Sequence, residues 1–125
     1  MKKRKQYNKK NQRSVGARYE QVAGKYLEQQ GYQILQYNYR CRQGEIDIIA
    51  RDGDYLVFTE VKYRRTGESG WASAAVDWHK RQRISRAAQF YLIRHGYADI
   101  PCRFDVVAID GNRIQWIRNA FDYTE

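Results

Sequence analysis

The chain has 125 residues, of which 42% are hydrophobic and 14% aromatic, so it can bury one core but is too short for two ordinary domains. It contains no run of about 20 apolar residues that would span a bilayer, and no apolar segment of the kind that a secretory signal needs follows its first basic residues. Only two cysteines are present, Cys41 and Cys102, without the spacing of a zinc site, so we expect reduced thiols in a soluble, cytoplasmic protein.

The first thirteen residues carry most of the formal net charge of +9. They include seven basic residues and no acidic one, and the rest of the chain has 16 basic against 14 acidic residues. This segment is polar and lacks helical periodicity, which predicts a disordered tail, residues 1–13, before a single domain, residues 14–125. The tail is either an electrostatic arm for nucleic acid or only a solubilising terminus. The arm residues predicted to contact nucleic acid are Lys2, Lys3, Arg4 and Lys5.

The first predicted helix begins at Ser14, a suitable N-cap, and ends at Gly31. Glu20 lies near its start, at the border of the apolar stripe, where its carboxylate could either favour the helix dipole or point towards the sheet. The stripe recurs at helical spacing and consists of Tyr19, Val22, Ala23, Tyr26 and Leu27.

The rest of the chain predicts a mixed sheet flanked by helices. The dipeptide Asp52-Gly53, favoured in tight hairpin turns, separates two clear strand runs. A second helix ends before Gly96. The predicted order is therefore helix, three strands, helix and two strands, an α/β arrangement with helices packed against a mixed sheet. After the first helix, the predicted spans are strands at 32–39, 44–51 and 55–64, a helix at about 74–95, and strands at 102–109 and 113–117.

Charged residues of the segment GEIDIIARDGDYLVFTEVKYR, residues 44–64, are predicted to meet on one face of the first hairpin. Alternate side chains of a strand share a face, so Glu60 and Lys62 project together, as do Glu45 and Asp47. If the Asp52-Gly53 dipeptide is the loop, Glu45 lies opposite Glu60 and Asp47 lies diagonal to it. One face of the hairpin would then form a core layer of Ile46, Ile48, Val57 and Val61.

Such a cluster of carboxylates suggests a metal site, because like charges across a sheet are destabilising unless they are compensated. Mg²⁺ prefers oxygen ligands, so Asp47 and Glu60 with the backbone carbonyl of Val61 suit it, and Mn²⁺ could substitute. Lys62 would position the nucleophile and stabilise the transition state. The alternative is a hairpin whose Glu and Lys residues form exposed salt bridges, worth about 0–1 kcal/mol each.

The motifs GEID, FTEVKYR and CRFDVVAI, with Gly16, Glu20, Gly31, Asn38, Val76 and Lys80, together resemble the YraN family of small bacterial proteins. That family is distantly similar to PD-(D/E)xK nucleases and to archaeal Holliday junction resolvases. The resemblance implies a restriction-endonuclease-like αβββαβ core, here followed by a C-terminal hairpin strand. It also implies residue roles: Asp47 and Glu60 as metal ligands, Lys62 as the catalytic lysine and Glu20 as a further acidic residue that faces the site. Ile46 stands where the name of the superfamily has proline.

Other residues are weaker candidates for contacts with nucleic acid. Lys80 and Arg83 on the second helix could grip phosphates, although basic residues on a helix usually form its solvated face. Trp71 and Trp78 flank the loop after the strand that carries Lys62, where they could stack on bases or only pack against the protein.

We therefore expect a Mg²⁺-dependent endonuclease that hydrolyses phosphodiester bonds in DNA, with RNA as the other candidate substrate. The likeness to resolvases implies branched or irregular DNA, and cutting a four-way junction needs two active sites, which favours a homodimer without membrane association. The competing functions are a non-catalytic nucleic-acid-binding module with the same fold and a scaffold that binds another protein.

Overall fold

The described residues form two helices and five strands in the predicted order. The computed structural model describes residues 2–64 and 76–125, with side chains from Arg13 onward. This order confirms the predicted α/β fold, with its αβββαβ core and C-terminal hairpin strand. The elements are α1 (Lys2–Gln29), β1 (Gln33–Cys41), β2 (Gly44–Asp52), β3 (Tyr55–Arg64), α2 (Trp78–Arg94), β4 (Cys102–Asp110) and β5 (Arg113–Phe121).

The five strands form one mixed sheet in the order β1-β2-β3-β4-β5. The first three run antiparallel as successive hairpins. β3 and β4 are parallel, and α2 lies between them in the chain, as parallel neighbours need a long crossover connection. β5 completes the sheet as the antiparallel partner of β4.

Each face of the sheet is covered by one helix. Ala23 and Leu27 of α1 pack on one face, in a buried cluster with Ile48, Val57 and Val107. The helix α2 packs on the other face, so the sheet is enclosed on both sides, and any polar side chain between the layers must find a partner there. The α2-side cluster includes Ile84, Ala87, Ala88, Tyr91, Leu56, Phe58, Phe104 and Val106.

The first helix is longer than predicted. α1 begins at Lys2, so the segment predicted as a disordered tail is helical from that residue onward. Lysine, arginine and glutamine are good helix formers, and no proline or glycine precedes Gly16. The helix propensity of these residues therefore extends α1 through a segment whose apolar residues show no helical periodicity. Val22 is 45% exposed and does not belong to the buried stripe. Among helices of the described residues, none has the length and apolarity needed to cross a membrane.

The loop of the β2–β3 hairpin lies one residue later than predicted. Asp52 pairs with Tyr55, which leaves Gly53 and Asp54 as the two loop residues. Gly53 has a φ of +58°, a left-handed value that glycine adopts at no steric cost and that favours glycine at the first loop position.

The predicted register of the same hairpin was therefore wrong by two residues. Ile48 pairs with Thr59, and continuing this register places Asp47, rather than Glu45, opposite Glu60. Because side chains alternate with a period of two, a shift of two residues changes the partners and leaves the faces unchanged.

The regular alternation of β2 breaks at Asp47. Ile46 packs in the α2-side cluster, whereas Ile48 packs in the α1-side cluster, so the predicted common layer is wrong for Ile46. Two features account for the break. The Asp47 carboxylate accepts the Val61 N–H that a regular ladder would pair with the backbone. Across the other edge, Asn38 of β1 has a φ of +54°, outside the strand region.

Candidate functional site

Two carboxylates meet where the ladder between β2 and β3 ends. Asp47 Oδ2 accepts a 2.7 Å hydrogen bond from the backbone N–H of Val61, which holds Asp47 against β3. Glu60 is only 6% exposed. Burial, reinforced by the hydrogen bond and the negative charge of Asp47, raises the pKa of Glu60 far above its ordinary value. The pair therefore favours a cation or a shared proton.

Lys80 of α2 supplies a positive charge to this pair. Its Nζ lies 3.4 Å from Glu60 Oε2 as an ion pair. At 3.4 Å the contact is longer than an ordinary hydrogen bond, and the buried Oε2 accepts no hydrogen bond from the described residues. Burial lowers the pKa of Lys80, but Glu60 and Asp47 together raise it above the ordinary value. Lys80 was predicted as a phosphate contact, and the structure gives it a carboxylate partner.

The position of Lys80 follows from how α2 begins. The helix starts at Trp78, later than predicted, and Asp77 is its N-cap, whose Oδ1 accepts a 2.8 Å hydrogen bond from the backbone N–H of Lys80. The helix also approaches β2 closely: a Cβ on Gly44 would lie 2.6 Å from the backbone oxygen of Arg83. The glycine of the GEID motif therefore lets α2 come near enough for Lys80 to reach Glu60.

Glu20 approaches the same region from α1. Burial, followed by the negative charges of Asp47 and Glu45, raises its pKa to about 7, and Arg40 opposes the shift. Glu20 lines a groove between α1 and β1 rather than standing only at the helix surface. The sequence left open whether Glu20 serves the helix dipole or points towards the sheet, and in the structure its carboxylate lies towards Asp47 and Glu45.

A second buried carboxylate shows what a purely structural acid looks like in this fold. Asp105 on β4 is fully buried. Its two oxygens accept hydrogen bonds from four groups, at 3.0–3.1 Å: Tyr32 Oη, Trp116 Nε1, Arg103 Nε and the backbone N–H of Asn119. Asp105 is thus satisfied within the fold, whereas Glu60, almost as buried, is not.

The other predicted site residues lie at several places. Lys62 lies two residues after Glu60 on β3. Its side chain is partly buried and, with Tyr63 and Asp110, lines a hollow of about 260 Å³. The side chain of Arg83 is exposed. Trp78 is 54% exposed at the start of α2. The predicted contacts that lie outside the described side chains are Lys2, Lys3, Arg4, Lys5 and Trp71.

The donors at the site suit a hard divalent cation such as Mg²⁺. Among the residues that the structure describes, no group of three or more His, Cys, Asp or Glu side chains is close enough to hold a metal ion. The local set is the two carboxylates of Asp47 and Glu60, with the carbonyl of Val61 next in the chain. Mg²⁺ is typically held by one or two carboxylates, with water and phosphate oxygens completing its shell. The buried Glu60 oxygen that accepts no hydrogen bond from described residues fits such an ion.

The sequence did not indicate that Lys80 would reach Glu60. The available signal was the spacing of an N-cap residue, Asp77, three positions before it, which places Lys80 in the first turn of a helix. The place where α2 packs on the sheet depends on the connection between β3 and α2. The sequence of that connection does not indicate this place.

Comparison with known proteins relates the chain to one family. The family model described as "Uncharacterised protein family UPF0102" matches residues 19–109. A UPF0102 protein of Lachnoclostridium phytofermentans is 49% identical over 113 residues, which cover 90% of this chain and 96% of that protein. A UPF0102 protein of Nitrosomonas europaea is 49% identical over 110 residues, with 86% and 92% covered. A third, from Syntrophus aciditrophicus, is 51% identical over 107 residues, with 82% and 84% covered.

Proposed function

Because this chain belongs to the uncharacterised protein family UPF0102, whose name assigns no activity, we propose from the site itself that it is a Mg²⁺-dependent endonuclease for DNA. Membership confirms the predicted YraN family. The single observation that supports the activity is the buried Glu60 carboxylate, which lies beside Asp47 with one oxygen that no described residue hydrogen-bonds.

This observation favours a site over a structural role for energetic reasons. A buried polar group without a hydrogen-bond partner costs about 1–3 kcal/mol, and more when it is charged. Asp105 shows that the fold can satisfy a buried acid completely. Strongly perturbed carboxylates in an incompletely satisfied pair are typical of catalytic and metal-binding positions.

The residues would divide the chemistry of phosphodiester hydrolysis between them. When bound, Mg²⁺ supplies Lewis acidity, which makes water a better nucleophile at neutral pH and offsets negative charge on the phosphate. Asp47 and Glu60 would hold it, with the carbonyl of Val61. Lys62 would orient the attacking water and stabilise the charge that develops on the phosphate oxygens. The attacking water gives up a proton as its oxygen bonds to phosphorus, the ester P–O bond breaks, and the departing oxygen takes up a proton.

DNA is the proposed substrate because the chain is strongly basic. A net charge of +9 attracts a polyanion and gives a salt-dependent affinity. Branched or irregular DNA, RNA, and a homodimer with two sites are finer versions of the proposal. The competing function is a nucleic-acid-binding module without catalysis.

The test uses labelled single-stranded, duplex, flap and four-way-junction DNA with Mg²⁺, Mn²⁺ or EDTA. Wild type should cleave at least one of these only with metal, and Asp47→Asn and Lys62→Met should each lose the cleavage. Glu28→Gln, at an exposed position of α1, is the charge-matched control and should cleave like wild type. Binding without cleavage under every metal would leave the binding module, and absence of both would leave a protein scaffold.

A further inference from the structure

We propose that Arg40 is a phosphate-binding residue for the substrate strand, held ready by Asn38 and Glu45 beside the groove between α1 and β1. The ligand class follows from the proposed function, because a nuclease must hold phosphates next to the one that it cleaves. Neither the sequence motifs nor the family name assigns a role to Arg40.

The groove between α1 and β1 is lined by Glu20 and by Asn38, which lies opposite Asp47 in the sheet. Its volume of about 360 Å³ is within the range of about 300–1,000 Å³ that is common for ligand sites. The small residues Gly16 and Ala17 of α1 line one side, and Asn38 and Arg40 of β1 line the other. Glu20 also lines the groove, and its negative charge disfavours a phosphate beside it, so we place the backbone of the strand along the arginine side.

The sheet register places β1 directly beside the part of β2 that carries Glu45 and Asp47. Arg40 pairs with Glu45. Asn38 lies between two paired positions, Tyr37 with Ile48 and Tyr39 with Ile46, and is therefore opposite Asp47. Arg40 is therefore two positions along β1 from the residue opposite the proposed metal ligand Asp47, and a phosphate bound there would belong to the same strand of substrate.

Arg40 is oriented by its neighbours through one nitrogen. Its Nε donates a 3.2 Å hydrogen bond to Asn38 Oδ1 and lies 3.5 Å from Glu45 Oε2. Both of these contacts use Nε, and the side chain is 61% exposed, so the guanidinium remains accessible to a phosphate. A planar guanidinium whose position is already fixed binds phosphate with two parallel hydrogen bonds and loses little side-chain entropy.

The backbone at Asn38 supports a functional reason for this arrangement. Its φ of +54° is in the left-handed region, which is unfavourable for a residue other than glycine. Asparagine tolerates this conformation better than most residues, yet glycine would tolerate it more easily. Asparagine at this position supplies the Oδ1 acceptor that holds Arg40, which glycine lacks.

The alternative is an ordinary surface ion pair between Arg40 and Glu45, which contributes little to stability and nothing to binding. Two substitutions separate these roles. Arg40→Lys keeps the charge and removes the planar fork, and Arg40→Gln removes both. The matched control is Arg42→Gln, the same charge change at an exposed residue of the turn between β1 and β2.

The experiment measures binding of a fluorescein-labelled single-stranded 20-mer DNA by anisotropy, in EDTA, over a series of salt concentrations. We expect Arg40→Gln to weaken binding about tenfold and to lower the slope of log K against log salt by about 0.7. Arg40→Lys should recover the slope and only part of the affinity. Arg42→Gln should change affinity less than about twofold. Asn38→Gly should weaken binding without lowering the unfolding temperature, because it removes the acceptor and the backbone cost together.

The outcomes separate this inference from the proposed function. If wild type binds the 20-mer and Arg40→Gln binds it as well as Arg42→Gln does, Arg40 has no phosphate role, whatever the cleavage assays give. If wild type binds and Arg40→Gln is weakened while no metal supports cleavage, the phosphate contact holds and the endonuclease proposal fails. If wild type does not bind DNA at all, both fail.

Discussion

Replacing Glu60 by glutamine is the sharpest perturbation of the candidate site, because it keeps the shape of a buried side chain and removes its charge. In wild type, one buried oxygen of Glu60 accepts no hydrogen bond from described residues, which costs about 1–3 kcal/mol. The ion pair with Lys80, whose side chain is 43% exposed while that of Glu60 is 7% exposed, offsets part of the cost of burying the carboxylate. The glutamine amide can instead donate to Asp47. We therefore expect Glu60→Gln to raise the free energy of unfolding by about 1–2 kcal/mol at pH 8 in EDTA.

The pH dependence of stability identifies the group. Burial raises the pKa of Glu60 above its ordinary value of 4.5, so between that value and the folded-state pKa the folded protein binds more protons than the unfolded chain. Its contribution to stability is therefore complete below about pH 4.5 and is lost as the pH rises. Glu20, with its pKa raised to about 7, gives a drop of the same sign in both proteins. The difference between wild type and Glu60→Gln isolates Glu60, and the variant should lose less stability from pH 5 to pH 8.

Mg²⁺ should reverse the order of stability. An ion that binds only the folded protein stabilises it by about 2.7 kcal/mol when its concentration is 100 times the dissociation constant. Wild type should gain this stability at pH 8, and Glu60→Gln should gain almost none. The assay is urea unfolding followed by far-ultraviolet circular dichroism at pH 5 and pH 8, with Mg²⁺ or EDTA. Glu45→Gln, the same isosteric change at a half-exposed residue, is the control. A variant that is less stable than wild type at pH 8 in EDTA, with an unchanged pH slope, would refute the reasoning.

Two further predictions concern how the fold positions the site. Gly44→Ala should lower the free energy of unfolding by about 1–3 kcal/mol in urea titrations, because its Cβ would lie 2.6 Å from the backbone oxygen of Arg83. In the control, Gly16→Ala, the added Cβ would lie 3.7 Å from its nearest neighbour, so this variant should be as stable as wild type or more stable. Equal losses in the two variants would contradict the prediction. Asp105→Asn should cost about 1–3 kcal/mol in the same titrations, because Arg103 loses one of its two carboxylate partners and keeps only Asp52. A loss below about 1 kcal/mol would show that the network is dispensable.

Elements with strong local signals were predictable from the sequence. The third strand, Tyr55–Arg64, has the predicted ends, since turn residues precede it and β-branched and aromatic residues are frequent along it. Hairpin register was not predictable to the residue, because the Asp52-Gly53 dipeptide can supply its glycine at either loop position. A loop displaced by one residue shifts every cross-strand pair by two, which changes the partner of Glu60 from Glu45 to Asp47.

The site was predictable only where strand periodicity governs it. Alternation along β2 and β3 indicates Asp47 and Glu60 as neighbours, and the structure places them together. The contact of Lys80 with Glu60 depends on how α2 packs across the sheet, which Gly44 permits and no sequence period encodes. Nor does the sequence indicate the left-handed backbone at Asn38, since asparagine is also common in ordinary turns.

Three irregularities of the sheet coincide in one row that crosses β1, β2 and β3. Asn38 has a left-handed backbone, Asp47 opposite it takes a backbone N–H from β3 with its side chain, and Glu60 in the same row is buried with an oxygen that no described residue hydrogen-bonds. A left-handed Asn119 and a backbone N–H taken by the buried Asp105 also occur together on β4 and β5, where Asp105 is fully satisfied, so what distinguishes this row is the buried Glu60 oxygen that accepts no hydrogen bond from described residues. At β1 the row reaches the groove between α1 and β1, which Asn38 and Arg40 line. This unsatisfied buried carboxylate favours a functional site at the row, and it predicts that stabilising substitutions at Asn38 and Glu60 will each impair binding or cleavage.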